Sequence, residues 1–228
     1  MEAELYFETI PAGSRNFLSI RVEFQEDQTA LTTGTGKFLI SEWADTFEYA
    51  LDPLPHNRTY FAAHLEFMNN YWEKASNGNI QINSDDNYQL PLADSAFTLP
   101  QAMRYYSNPD SLDYRLALMI YQSVMLAQNE GQYQSNNDAV IIYHAGAGQD
   151  FKISLDASPF DIPSFFFDDE YLSKYLTNDQ YNELSALNCR RGIVLPESQN
   201  QLGISIALNG TEILLSGMLL GLPTMYDI

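Results

Sequence analysis

The sequence predicts an α/β fold, an α+β arrangement in which one twisted mixed β-sheet is backed by helices. Three observations carry this expectation. Residues 17–24 alternate, with Leu18, Ile20, Val22 and Phe24 on one face, the period of a half-buried strand. Phe61, Leu65, Met68 and Trp72 recur at helical spacing and form one apolar stripe. Asp138-Ala139-Val140-Ile141-Ile142-Tyr143-His144 is an almost unbroken apolar run, as expected in the middle of a sheet. A strand, a helical crossover and a second apolar strand favour parallel pairing of the two strands.

Taken in order, residues 1–16 read as an irregular lead-in, and the strand at 17–24 follows. A polar loop spans 25–37. Its Gly34-Thr35-Gly36-Lys37 fragment lacks both the spacing and the hydroxyl residue of a phosphate-binding loop. Asn57 is placed to cap the helix that carries the Phe61 stripe, and Gly78 ends it. Residues 79–82 and 88–92 read as short strands around a turn at 84–87. Asp85 and Asp86 in that turn fit no calcium-loop spacing and are read as solvated. Residues 111–128 form a second long helix, with Leu116, Ile120 and Val124 inward and Gly131 after its end.

Beyond the strand at 138–144, Gly146 and Gly148 are expected to permit a tight turn. Residues 165–167 are an apolar strand, and the acids at 168–170 read as a solvated strand end. A helix is expected near 181–187. Gly192, Ile193, Val194 and Leu195 read as a short edge strand, with Pro196 tolerated at its end. The last helix starts near Asn209 or Thr211, either of which can cap it. It closes at Gly221 and is kept from resuming by Pro223. Nearly every residue between is apolar, so burial on most sides is expected, and at roughly ten residues the helix is too short to span a bilayer.

Composition narrows the function. The chain has 228 residues, 45% hydrophobic and 13% aromatic, which supports a packed core and not a disordered chain. A formal net charge of −19 argues against nucleic acid, whose phosphates demand a basic face, and against anionic membrane surfaces. Solubility outside the cell accounts for such acidity. The single cysteine, Cys189, allows no intrachain disulfide and is read as a buried structural thiol. The N-terminal residues have neither the basic region nor the apolar run of a signal peptide.

Two segments carry a family resemblance. One is His144-Ala145-Gly146-Ala147-Gly148-Gln149. The other begins Leu208-Asn209-Gly210, continues through Gly217 and Gly221-Leu222-Pro223, and ends at Tyr226-Asp227. Together they resemble the immune-inhibitor-A-like secreted bacterial zinc metalloproteases, which are zincins, and the register needs no gap. The helix read with Tyr71-Trp72 and Ser76-Asn77-Gly78 resembles the family's helix before a hairpin. The resemblance implies a zincin-like upper subdomain with a C-terminal helix of the active-site type. It also implies an edge strand above that helix which pairs with the substrate backbone.

In the family's register the zinc chemistry is absent. The metal-ligand positions hold Leu214, Met218 and Thr224, and the general-base position holds Leu215. Two histidines four apart on one helix face bind zinc, and a glutamate takes the proton of the bound water. Leucine has no lone pair to give, and a thioether is soft for zinc. No zinc and no other cofactor is expected, and calcium has no supporting spacing. Leu214, Leu215 and Met218 are expected in the core, where burial of each contributes roughly 1.5–3 kcal/mol.

His144 can lend polarity to a cleft, together with Gly146 and Gly148, or can pack the strand end with a hydrogen bond; the second reading is the plainer. His56 and His64 show no ligand spacing. Residues 17–228 are expected to form a metalloprotease-like domain incomplete at its C-terminus, without the lower subdomain, and the chain reads as a fragment or truncated product. The resemblance places it outside the cell or in the envelope. Three functions stand open. The first is an inactive homologue of a secreted zinc metalloendopeptidase. The second is a peptide- or protein-binding module using the strand near 192–196. The third is a metallopeptidase with a relocated metal site.

Overall fold

The computed structural model describes residues 11–39, 52, 54–150, 158–201 and 204–223. Alternation along the strands is what builds it. In β1 (Gly13–Glu23), Leu18, Ile20 and Val22 face one core cluster while Phe17 faces another. β5 (Ala139–Gly148) divides the same way, with Val140 and Ile142 on the first face and Ile141 and Tyr143 on the second. β7 (Gly192–Gln201) sends Val194 to the first and Ile193 and Leu195 to the second. A sheet apolar on both faces must be covered on both.

The first face is covered by α3 (Leu112–Asn129), with α4 (Asp169–Tyr175) and α5 (Asn178–Ala186) packed against it. The second is covered by α1 (Arg58–Ala75) and α6 (Asn209–Leu219), which also touch each other. A short α2 (Met103–Tyr106) precedes α3. Six α-helices and an eight-stranded mixed sheet thus stand among the described residues.

The centre of the sheet is parallel: β1 pairs with β5, Leu18 opposite Val140, and β5 pairs with β7, Ile142 opposite Val194. This is the parallel pairing that the crossover reading predicts. The outer side of β1 is covered end to end by β2 (Ile80–Asn83), β3 (Gln89–Leu90) and β4 (Phe97–Thr98), all parallel to it. β2 and β3 therefore do not form the expected hairpin with each other. The outer side of β7 is covered by antiparallel β6 (Phe165–Phe167) and then by β8 (Ile204–Ile206).

Several local expectations change for physical reasons. The lead-in is shorter than residues 1–16, because Gly13 already pairs with Ile80. The acids at 168–170 are not a strand end: the Asp168 side chain accepts the Tyr171 N–H and starts α4, with Asp169 and Glu170 in its first turn. Residues 144–148 are not a turn but the last part of β5. The register shifts between His144 and Ala147, and Gly146 takes φ +91, a bulge that only glycine enters freely. α6 begins without a side-chain cap, although its end is as expected, with Gly221 at φ +95. The remaining caps hold, including Asn57 on α1.

The strand at 192–195 is not an edge. Gly192, Ile193 and Val194 pair with β5 on one side and with β6 on the other. A Cβ at Gly192 would lie 2.2 Å from the Val140 carbonyl oxygen and 2.4 Å from the Phe167 ring. The glycine therefore serves close packing inside the sheet. Pro196 falls between the residues of β7 that pair with β6 and those that pair with β8, opposite His144 of β5.

Candidate functional site

Several polar residues of the second face meet in one buried network around the start of α1. Local helical spacing sets its first part. His56, just before the Asn57 cap, Tyr60 and His64 lie four residues apart, so their rings stack in a row. His56 and Tyr60 are stacked at 4.2 Å, and Tyr60 meets His64 edge-on at 4.6 Å.

Three acids from distant parts of the chain close on this row. Glu197 in β7 is 1% exposed; one of its oxygens lies 2.9 Å from His56 Nδ1 and accepts the Leu39 N–H at 2.6 Å. Its other oxygen accepts the N–H of Gly146 at 3.0 Å, which is what the β5 bulge exposes. Glu212 in α6 is fully buried; it lies 3.0 Å from His64 Nδ1 and accepts the Tyr143 hydroxyl. Asp52 accepts the Tyr60 hydroxyl at 2.7 Å and lies 3.7 Å from His56 Nε2. The Tyr60 hydroxyl also donates to the Glu197 carbonyl at 3.0 Å. Burial, with Asp52 next, drives the Tyr60 phenol well above its ordinary range; burial, then Glu212, does the same to Tyr143.

Each imidazole is thus held through Nδ1 by a buried carboxylate, a geometry that fixes ring orientation. The partners are interior, so the network behaves first as a clamp joining α1, β5, β7, α6 and the chain before α1. Removing water from carboxylates is costly unless every oxygen is satisfied, and here hydrogen bonds reach both oxygens of Glu197 and of Glu212. No group of three or more His, Cys, Asp or Glu is placed to hold a metal ion among the described residues.

The motif positions fall on α6. Leu215 is buried, at 8% exposure, as expected. Leu214 and Met218 are only half-buried; Met218 still packs against the core, whereas Leu214 does not, a correction to the expectation of three core residues. The physical reason is helical phase: Glu212, Leu215, Ser216 and Leu219 form the inward stripe, Met218 flanks it and packs against the core from its edge, and Leu214 lies across from it. Ser216 accepts the Trp72 indole N–H at 2.8 Å, a second polar tie between α1 and α6. Thr224, Tyr226 and Asp227 lie outside the described residues.

His144 is fully buried and packs edge-on to Phe24, with Nδ1 3.0 Å from the Ala145 carbonyl. Burial lowers its pKa to about 4. This is the plainer of its two readings. Gly146 lies against the Thr33 carbonyl, and Gly148 against Pro196 and Gln199. Cys189 is buried, and burial pushes its thiol up to about 12, as a structural cysteine requires.

The histidines set aside for lack of ligand spacing are those the fold uses. A signal was present: Glu212 stands alone as a charge among mostly apolar neighbours in α6, and His56, Tyr60 and His64 recur at a spacing of four. Nothing local names their partners. No model of a known protein family matches the chain, and no curated protein matches it. No described helix is long and apolar enough to cross a membrane.

Proposed function

We propose that this chain is a non-catalytic homologue of the secreted zinc metalloendopeptidases it resembles, with a zincin-like sheet and helices retained and the metal chemistry lost. The observation that carries the reading is the phase of α6. Leu214 and Met218, four residues apart on α6 and both half-buried, occupy the positions where two histidines would hold a metal, and hydrocarbon stands there instead. The polar residues of the helix, Glu212 and Ser216, point inward and serve as anchors to α1 and β5. A mixed sheet with α1 and α6 on one face is consistent with the same reading.

A peptide-binding role, if the scaffold keeps one, moves from residues 192–195 to β6. That strand ends the path of the sheet among the described residues and packs over α6. An exposed sheet edge binds extended chain through backbone hydrogen bonds and needs no metal. The protein acts, in this reading, outside the cell or in the envelope, as the family does.

Elemental analysis of protein dialysed against trace zinc tests the proposal, with peptide digestion followed by mass spectrometry. The expected outcome is zinc near zero per chain and no cleavage. One zinc per chain, or turnover abolished by a chelator, would overturn it.

A further inference from the structure

Three tyrosine hydroxyls tie α3, α4 and α5 into a closed ring. Tyr121 of α3 donates to the Glu183 carboxylate of α5 at 2.5 Å, Tyr181 of α5 to the Asp169 carboxylate of α4 at 3.1 Å, and Tyr171 of α4 to the Asp113 carbonyl of α3 at 2.9 Å. Helical phase puts the rings there. Leu172 and Leu184 take the inward positions of α4 and α5, which leaves Tyr171, Tyr175 and Tyr181 half-buried at the rim. The rings of Tyr171 and Tyr175 meet at 5.0 Å, and Phe165 of β6 joins them at 5.9 Å. Tyrosines held in this way offer rigid contact area at small further cost in entropy.

The charge around these rings is one-sided. Residues 168–189 hold five acids and one base, Lys174. Asp113 of α3 and Glu170 of α4 are exposed, and among the described residues their carboxylates make no ion pair. Lys174 shows what such a surface attracts. Its side chain is exposed, yet its ammonium lies 4.8 Å from the centre of the Tyr175 ring. Arg115 of α3 does the same over the Tyr105 ring, at 4.4 Å.

We propose that the rim of α3, α4 and α5 around Tyr171 and Tyr175 docks a basic segment of another protein, whose arginine or lysine side chains lie on the rings and meet the carboxylates of Asp113 and Glu170. Charge complementarity selects this occupant. An apolar partner would cover those carboxylates without pairing them, and the net charge of −19 repels a polyanion. Rigid aromatic anchors beside charges of one sign suit a partner that brings the other. Lys174 is the internal cation that the partner displaces from Tyr175. The surface lies on the first face of the sheet, away from α6 and the histidine network, and does not depend on the protease resemblance.

The test titrates the full chain with a hexa-arginine peptide at about 0.15 M ionic strength, where distant charges are screened, and follows binding heat together with the tyrosine ring resonances. A chain this acidic attracts any polycation, so the variants are compared in charge-matched pairs. Glu170→Gln is set against Glu66→Gln, and Lys174→Gln against Lys74→Gln; both controls lie on α1, and all four side chains are exposed, so none of the changes opens the core. Saturation near one peptide per chain is expected, with the Tyr171 and Tyr175 signals shifting. Glu170→Gln should weaken binding by about two- to fivefold, the scale of one exposed ion pair. Lys174→Gln should tighten it, and the α1 controls should change it less than their counterparts do. No saturation overturns the proposal. Equal effects within each pair overturn it too, because the peptide then answers to net charge alone.

Discussion

At the scale of the residue, Glu212 decides more than any of the motif positions around it. A carboxylate with no solvent exposure is tolerable because His64 and Tyr143 meet its two oxygens. Truncation to alanine leaves both partners buried and unpaired. Glu212→Ala should therefore cost about 3–5 kcal/mol in urea denaturation, the range for breaking a buried pair. Leu214→Ala should cost less than that, because the leucine is half-buried and solvent already reaches part of it. A larger loss at 214 than at 212 would place the weight of α6 on its other face.

At the scale of the element, β7 shows how packing overrules a local reading. Residues 192–196 look like an edge strand, since the run is short and ends in proline. The sheet instead clasps its start on both sides, and glycine at 192 is what admits the Val140 carbonyl and the Phe167 ring. A methyl group there must push backbone, not a flexible side-chain tip. Gly192→Ala should destabilise by at least about 1–3 kcal/mol, the usual cost of overpacking, measured by thermal or chemical unfolding. α6 teaches the complementary lesson. Its end was legible from Gly221, yet its orientation came from Glu212 and Ser216 reaching α1.

At the scale of the whole molecule, burial makes stability depend on pH. His144 is neutral in the folded protein down to about pH 4, whereas an unfolded histidine titrates near 6.5. Its folded pKa is depressed, so above 6.5 both states are neutral and the full stability is present. As pH falls from 6.5 toward 4, the unfolded chain takes up a proton that the fold refuses. The loss over that window amounts to roughly 3 kcal/mol. Chemical denaturation at pH 7.5 and at 4.5 should show a steeper fall for the wild type than for His144→Gln. Equal slopes would mean that His144 accepts a proton without opening the fold.

The sequence by itself determined the periodic parts of this protein. The alternation of 17–24, the stripe from Phe61 to Trp72, the stripe from Leu116 to Val124, the Asn57 cap and the buried Cys189 all reappear in the structure. Each is fixed by neighbours within a turn or two, where residue spacing and burial are the same statement. Only the tertiary structure decided that β7 lies inside the sheet, that β2 and β3 follow one another along β1, and that the histidines belong to a network. His56 and Glu197 are 141 residues apart, and His64 and Glu212 are 148 apart. A buried charge takes whichever partner the fold delivers, and local sequence holds no record of that choice.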